Sequence, residues 1–290
     1  MRSYNLLSSF SFFNPGLKEI IMLLVFFLIG NIIASIIMFF GAMTLGTDVA
    51  LTYGMPILYP LIFIPGMIYA SVKSTKASFE GQTAIPVDQN NFGAVGGLMA
   101  AVMVALSTIA MSVVVDPIGN LLPEMSPEIE ESMNRLMHGP LWLSLLTTAV
   151  FAPFFEEWLC RGMILRGLLQ RIKPVWAILI SGLIFGVIHG NIWQAIPATI
   201  IGSFFGYVYY KTGSLKLTML MHCANNALAV ILGNIDSLKD IEHYAEMFPQ
   251  TWMWILFYVM CAAVLVLFFA TFSKKIPPLA KPEETGIENI

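Results

Sequence analysis

Glu156 and Glu157 stand side by side in an otherwise apolar stretch, Leu141 to Leu169. A carboxylate at membrane depth costs at least ~2.5–3.5 kcal/mol on insertion scales. Two in succession are kept only where something inside the protein needs them. Other polar residues share this setting. His189 closes the apolar run Ala177–Ile188, and His222 and Asn226 lie inside Leu217–Leu232. Ionisable groups at such depth mark catalytic sites or transport pathways, and their concentration on three segments points to a single site.

Helix geometry divides the roles. Glu157 precedes Arg161 by four residues, acid before base, which is the favourable order for an intrahelical pair. That pair neutralises one buried carboxylate and is expected to support the site. Glu156 points about 100° away around the helix, and position 160 offers a cysteine rather than a cation. A carboxylate held out of water is a stronger base than a solvated one, so Glu156 is the candidate general base. His222 and Asn226 are four apart and share a face. Asn225 is three from His222 and nearly shares it, so spacing leaves the two amides open. A neutral imidazole and a carboxamide side by side can both donate to a developing oxyanion. Depths agree. On a 1.5 Å rise, Glu156 lies roughly 25 Å from Lys173, His189 roughly 22 Å from Pro174, and Asn226 roughly 15–20 Å from Lys216.

The elements that must position these groups are membrane helices. Of 290 residues, 57% are hydrophobic and 11% charged, against about 25% charged in soluble domains, and mean hydropathy is +0.77. The expected fold class is an all-α polytopic membrane protein with about eight transmembrane helices: 20–45, 50–72, 93–115, 140–170, 174–190, 193–211, 215–233 and 251–273. With eight spans, the basic residues other than Arg135 and Lys239 fall on the side that holds both termini. The positive-inside rule then makes both termini cytoplasmic. Three parts follow: 1–139 with helices 1–3 and an outer loop, 140–233 as the chemical core, and 234–290 with the last helix and a tail. Glu124, Glu128, Glu130 and Glu131 make the outer loop acidic. Apolar residues at helical spacing after Ser126-Pro127 predict a short helix there, on the membrane surface or packed on the bundle. His138 and His243 fall in outer loops. Gly202-x-x-x-Gly206 permits close helix packing and is assigned no chemistry. Three cysteines, 160, 223 and 261, lie in apolar segments and are expected to be unpaired. The first apolar run exceeds the length of a signal-peptide core, and no small-x-small site follows it. A net charge of −3, spread over loops, speaks against a nucleic-acid partner.

Glu156-Glu157-x-x-x-Arg161, Phe185-x-x-x-His189 and His222-x-x-x-Asn226 resemble, in order and approximate spacing, the three motifs of the CPBP family. That family comprises the type II CAAX prenyl proteases and the bacterial Abi or bacteriocin-processing relatives. Ala152-Pro153-Phe154-Phe155 before the glutamates and Gly162 after the arginine agree with it. The resemblance covers roughly residues 140–233. Cys160 departs from the pattern, where the family often has an aromatic residue that is not catalytic. The resemblance implies an eight-helix intramembrane glutamic endopeptidase; no cofactor is expected. Glu156 and His189 would activate water, His222 and Asn226 would stabilise the oxyanion, and Glu157 and Arg161 would orient the site; it thereby favours Asn226 over Asn225.

Three rival readings differ in class. A zinc-dependent CAAX-type metalloendopeptidase would use the same residues as ligands. It has no H-E-x-x-H, and a third histidine is wanting near the site. A non-proteolytic membrane scaffold would have no need of costly buried charges. A proton-coupled transporter would show broken helices in paired halves, which the sequence does not suggest. The expected partners are the lipid bilayer and a membrane-associated peptide or protein substrate: a peptide pheromone, a bacteriocin leader or a membrane-protein tail. Compact loops point to a bacterial cell membrane.

Overall fold

The computed structural model describes residues 7–137, 140–238, 241 and 243–279; Arg2, His138, Lys239 and Lys281 lie outside them. Among the described residues there are helices and no strand. We number the helices of two turns or more α1 (Leu17–Leu45), α2 (Thr47–Phe79), α3 (Gly97–Val115), α4 (Pro127–Met137), α5 (Leu141–Leu169), α6 (Pro174–Val187), α7 (Ile192–Thr212), α8 (Leu215–Gly233) and α9 (Thr251–Lys275). α1, α2, α3, α5, α8 and α9 are long and apolar enough to cross a membrane. α6 is apolar but has 14 residues. α7 has 21 residues, diluted by Gln194, three tyrosines and Lys211. The chain is an all-α polytopic membrane protein.

Burial separates a central helix from peripheral ones. The apolar window of α5 is 67% buried, against 22% in α1 and in α9. Ile32 and Phe40 of α1 and Val266 of α9 point outward; such faces suit acyl chains rather than water. α1 and α2 form an antiparallel hairpin across Gly46, whose φ of 91° a side chain would resist. α6 and α7 form a second hairpin, and α8 packs against α3, α5 and α7. Small residues set the close approaches. A Cβ at Gly182 or Gly186 would strike Ser203 or Thr199 of α7.

α5 is not the uniform α-helix the sequence predicts. Leu145–Phe151 and Trp158–Leu165 are wound as π-helix, flanking the α-helical Ala152–Glu157. The first widening has a local cause. Ala152 N donates to the Thr147 carbonyl, five residues back. The next bond in that register would join residue 153 to Thr148, but Pro153 has no N–H. The freed Thr148 carbonyl accepts instead from Asn226 Nδ2 of α8, at 2.8 Å. In the second π segment the Cys160 carbonyl accepts from Ser181 Oγ of α6 at 2.9 Å, and the Gly162 carbonyl from Arg166 Nε at 2.7 Å. Side chains thus satisfy backbone groups that lipid could not. α6 stops at Val187, short of the expected 190, so His189 lies in the turn beyond it.

One end of the bundle is tied by buried polar groups that the sequence reading did not single out. Arg166 donates to the carbonyls of Phe10, Ser11, Phe13 and Ile85. Asp88 pairs with Lys216 at 2.9 Å and accepts from the N–H of Lys216 at the start of α8. Tyr209 Oη donates to the Val87 carbonyl at 2.7 Å. Cys160, Cys223 and Cys261 are free thiols.

The α1–α2 contact yields a test. A Cβ on Gly30 would fall on the Ile62 carbonyl, whereas one on Gly41 would meet only Ala50 Cβ, at 3.8 Å. Gly30→Ala is expected to lower stability by ~1–3 kcal/mol, read as a drop in thermal denaturation midpoint in detergent. Gly41→Ala is expected to match or slightly exceed wild type.

Candidate active site

Glu156 is buried on the α-helical segment of α5. Its two oxygens have different surroundings. Oε1 accepts a hydrogen bond from the hydroxyl of Tyr59, on α2. Oε2 is enclosed without a hydrogen-bond partner among the described residues, and lies 4.0 Å from His189 Nε2. Nδ1 of His189 stands 2.8 Å from the Phe185 carbonyl. A carbonyl only accepts, so Nδ1 carries the hydrogen, and in the neutral form of the ring Nε2 presents a lone pair to Oε2. Two acceptors therefore face each other. Their separation is near the ~4.5 Å subtended by one water donating both hydrogens at ~2.8 Å. The turn that carries His189 is shaped by Gly190, at φ 76°, and closed by Asn191, whose side chain caps α7 by accepting from Gln194 N at 2.9 Å.

Glu157 faces the other way, as the helical spacing requires. Its Oε1 accepts from Arg161 Nη1 at 2.9 Å and from His222 Nδ1 at 3.0 Å, and all three side chains are buried. The Arg161 pairing was expected; the His222 contact was not. Arg161 also donates to the Gly202 carbonyl at 2.6 Å and lies 4.5 Å from the centroid of the Phe185 ring. A Cβ at Gly202 would come within 3.0 Å of the guanidinium and 2.7 Å of Phe185. The glycine pair in α7 therefore does more than let helices approach, because Gly202 makes room for the charge that balances Glu157. Phe185 presents its ring edge-to-face to both His189 and His222, at 5.1 and 5.3 Å between centroids.

The His222 contact corrects one expectation. With Nδ1–H committed to Glu157, a neutral His222 has only a lone pair at Nε2. It can donate to an oxyanion through Nε2 only as the imidazolium. In that form Glu156, Glu157, Arg161 and His222 together are electrically neutral, a favourable condition where water is excluded.

Asn226 gives one N–H to Thr148 and accepts at Oδ1 from Asn225 Nδ2, at 3.0 Å. Asn225 Oδ1 in turn lies 2.7 Å from Ser112 Oγ of α3. The second N–H of Asn226 has no partner in these bonds. Asn225 is thus a neighbour that holds the Asn226 amide. The structure brings Glu156 together with His189, and Glu157 with Arg161 and His222, and ties Asn226 to α5 at Thr148. His243 lies apart, 3.6 Å from Asp116.

Sequence reasoning missed Tyr59, because an uncharged phenol in an apolar helix does not stand out as a buried charge does. The available signal was a tyrosine between Pro56 and Pro60 in an apolar helix. Nothing in the spacing of residues 147 and 148 or of Ser112 announced their contacts. Among the described residues, no group of three or more His, Cys, Asp or Glu side chains stands close enough to hold a metal ion; catalytic zinc takes three protein ligands.

Comparison with known proteins converges on the same segment. Residues 138–228 match the Type II CAAX prenyl endopeptidase Rce1-like family. The resemblance seen in the three motifs is therefore shown for this stretch. A Bacillus subtilis (strain 168) protein named "Putative membrane peptidase YdiL" is 26% identical over 104 residues, 36% of this chain and 41% of that protein. An uncharacterized protein of Mycoplasma capricolum is 30% identical over 94 residues, 31% of this chain and 27% of the relative. The chain thus matches less than half the length of either relative. No solved structure matches it.

The Glu157 contacts predict a stability defect. Glu157→Gln removes the charge that both Arg161 and His222 face, and breaking such a buried pair costs ~3–5 kcal/mol. The variant is expected to show reduced yield and a lower denaturation midpoint in detergent, whereas Glu156→Gln, which keeps an acceptor for Tyr59, is expected to denature near the wild-type temperature.

Proposed function

We propose that this protein is an intramembrane endopeptidase that hydrolyses a peptide bond of a membrane-associated peptide or protein. The observation that carries this reading is the Glu156–His189 pair: one carboxylate oxygen is held by Tyr59, and the other faces an imidazole lone pair. In the proposed reaction the water oxygen bonds to the scissile carbonyl carbon as its proton passes to Glu156. The carbonyl electrons become an oxyanion, which accepts from Asn226 Nδ2–H and from Nε2–H of protonated His222. The intermediate collapses, the C–N bond breaks, and Glu156 returns the proton to the departing amine. Glu157 and Arg161 orient His222. The match to an endopeptidase family over residues 138–228 supports this class of chemistry.

We further propose that 140–233 form the catalytic core, that α6 and α7 also cross the membrane to make eight spans, and that both termini are cytoplasmic, as the distribution of basic residues favours. Two bacterial relatives support a bacterial cell membrane as the location. The proposed substrates are peptide pheromones, bacteriocin leaders or membrane-protein tails.

Glu156→Gln is the direct test. It should leave a folded protein that no longer cleaves a quenched fluorescent peptide turned over by wild type, because an amide cannot take a proton from water. Cleavage at the wild-type rate would remove the general base from this account. Metal dependence is checked separately. Wild-type activity should survive a chelator that penetrates the micelle, and elemental analysis should find well under one zinc per chain. Stoichiometric zinc with activity restored by its return would instead make Glu156 a ligand.

A further inference from the structure

We propose that Tyr59 is a positioning residue for Glu156, selecting Oε2 as the oxygen that takes the proton; the inference rests on the general-base reading above. An ionised carboxylate only accepts, and it offers lone pairs on both oxygens. Tyr59 donates to Oε1. That leaves Oε2, the oxygen turned toward His189, as the one without a protein donor. A second donor on Oε2 would compete with a water proton. A carboxylate with no donor at all would be free to rotate about its last torsion, and either oxygen could face His189.

The phenol is held on a fixed platform. Its ring packs 5.7 Å from that of Phe63, and Phe63 stacks on Phe155 at 5.4 Å with planes 20° apart. Phe155 immediately precedes Glu156 on α5. A continuous aromatic stack therefore links the α2 backbone to the residue beside the carboxylate and fixes the distance between phenol and base. Tyr59 is the residue before Pro60 and three after Pro56, and Pro65 follows. Each proline lacks the N–H that would extend the i→i−4 ladder of α2, and the helix runs unbroken through them to present this hydroxyl. Of the two adjacent glutamates, the phenol pairs with the one that is not bonded to Arg161.

The test uses full-length protein in detergent and the same quenched peptide. Tyr59→Phe keeps the ring and its stack and removes only the hydroxyl. The expected result is a fall in kcat of roughly ten- to a hundredfold, the range for a hydrogen bond to a charged group. KM and the denaturation midpoint should stay near wild type, since neither substrate binding nor packing is touched. A kcat within about twofold of wild type, or a loss confined to KM or to the denaturation midpoint, overturns the proposal. Where Tyr59→Phe does not fold, fluorotyrosines placed at position 59 supply the second measurement. These change phenol donor strength with little change in shape. A kcat graded with the number of ring fluorines supports positioning through the hydroxyl, and an unchanged kcat overturns it. An active Glu156→Gln protein would remove the general-base reading itself, whereas an inactive Glu156→Gln beside a fully active Tyr59→Phe removes the Tyr59 inference alone.

Discussion

Two adjacent carboxylates in a membrane helix repel each other and resist leaving water, and much of this structure can be understood as the compensation for that cost. Consecutive helical positions diverge by about 100°, which sends Glu156 and Glu157 into separate environments. Glu157 is neutralised by Arg161 and bonded to His222. Arg161 in turn needs the space left by Gly202, that residue's carbonyl and the face of Phe185. Glu156 receives one hydroxyl, and its other oxygen faces the His189 ring at 4.0 Å. One carboxylate is thus fully engaged in structure, and the other is left with an oxygen to spare.

The same scarcity of water governs the backbone. Each carbonyl released where α5 widens must find a donor, and the donors come from the helices that build the site. Pro153 frees Thr148, and Asn226 takes it. Ser181 of α6 takes Cys160. Along the irregular winding of α5, two carbonyls are thus bonded to α8 and α6, with His222 and His189 on or next to those two helices. Arg166 and Asp88 do the corresponding work at the end of the bundle, where chain segments between helices would otherwise bury unpaired carbonyls and amides. Local departures from regular helix and the placing of the polar side chains are one event.

How much of this was legible in the sequence follows from which forces are local. Helical segments were plain, because a long apolar run in lipid has few alternatives to a helix. The opposition of Glu156 and Glu157 and the Glu157–Arg161 pair were plain too, since both depend only on residues within one turn. The three motifs gave the family resemblance over the central segment. Contacts between helices were not legible. The bonds from Tyr59 to Glu156, from His222 to Glu157 and from Ser112 to Asn225 join residues 97, 65 and 113 apart, and no periodicity encodes them. The π-helical stretches escaped notice because their hydrophobic pattern matches that of an α-helix, and Pro153 alone does not announce the register it disturbs.

The bond between Glu157 and His222 constrains any chemistry at this site more tightly than proximity does. His222 has two ring nitrogens, and Glu157 claims the hydrogen on one of them. Whether the other can stabilise negative charge then depends on a second proton. Binding a neutral carbonyl requires little of it, but an oxyanion requires a donor. A protonated His222 beside ionised Glu157 would be such a donor, already oriented, and would hold the four-group cluster neutral before the reaction starts. In the proposed reaction, negative charge moving from the attacking water to the carbonyl oxygen would meet a positive partner already in place, with no large reorganisation of surroundings. In the proposed reaction Glu157 therefore acts through His222, to which it is bonded, rather than on the substrate. The adjacent position, differing by a single step around the helix, is the one that keeps a carboxylate oxygen without a hydrogen-bond partner among the described residues.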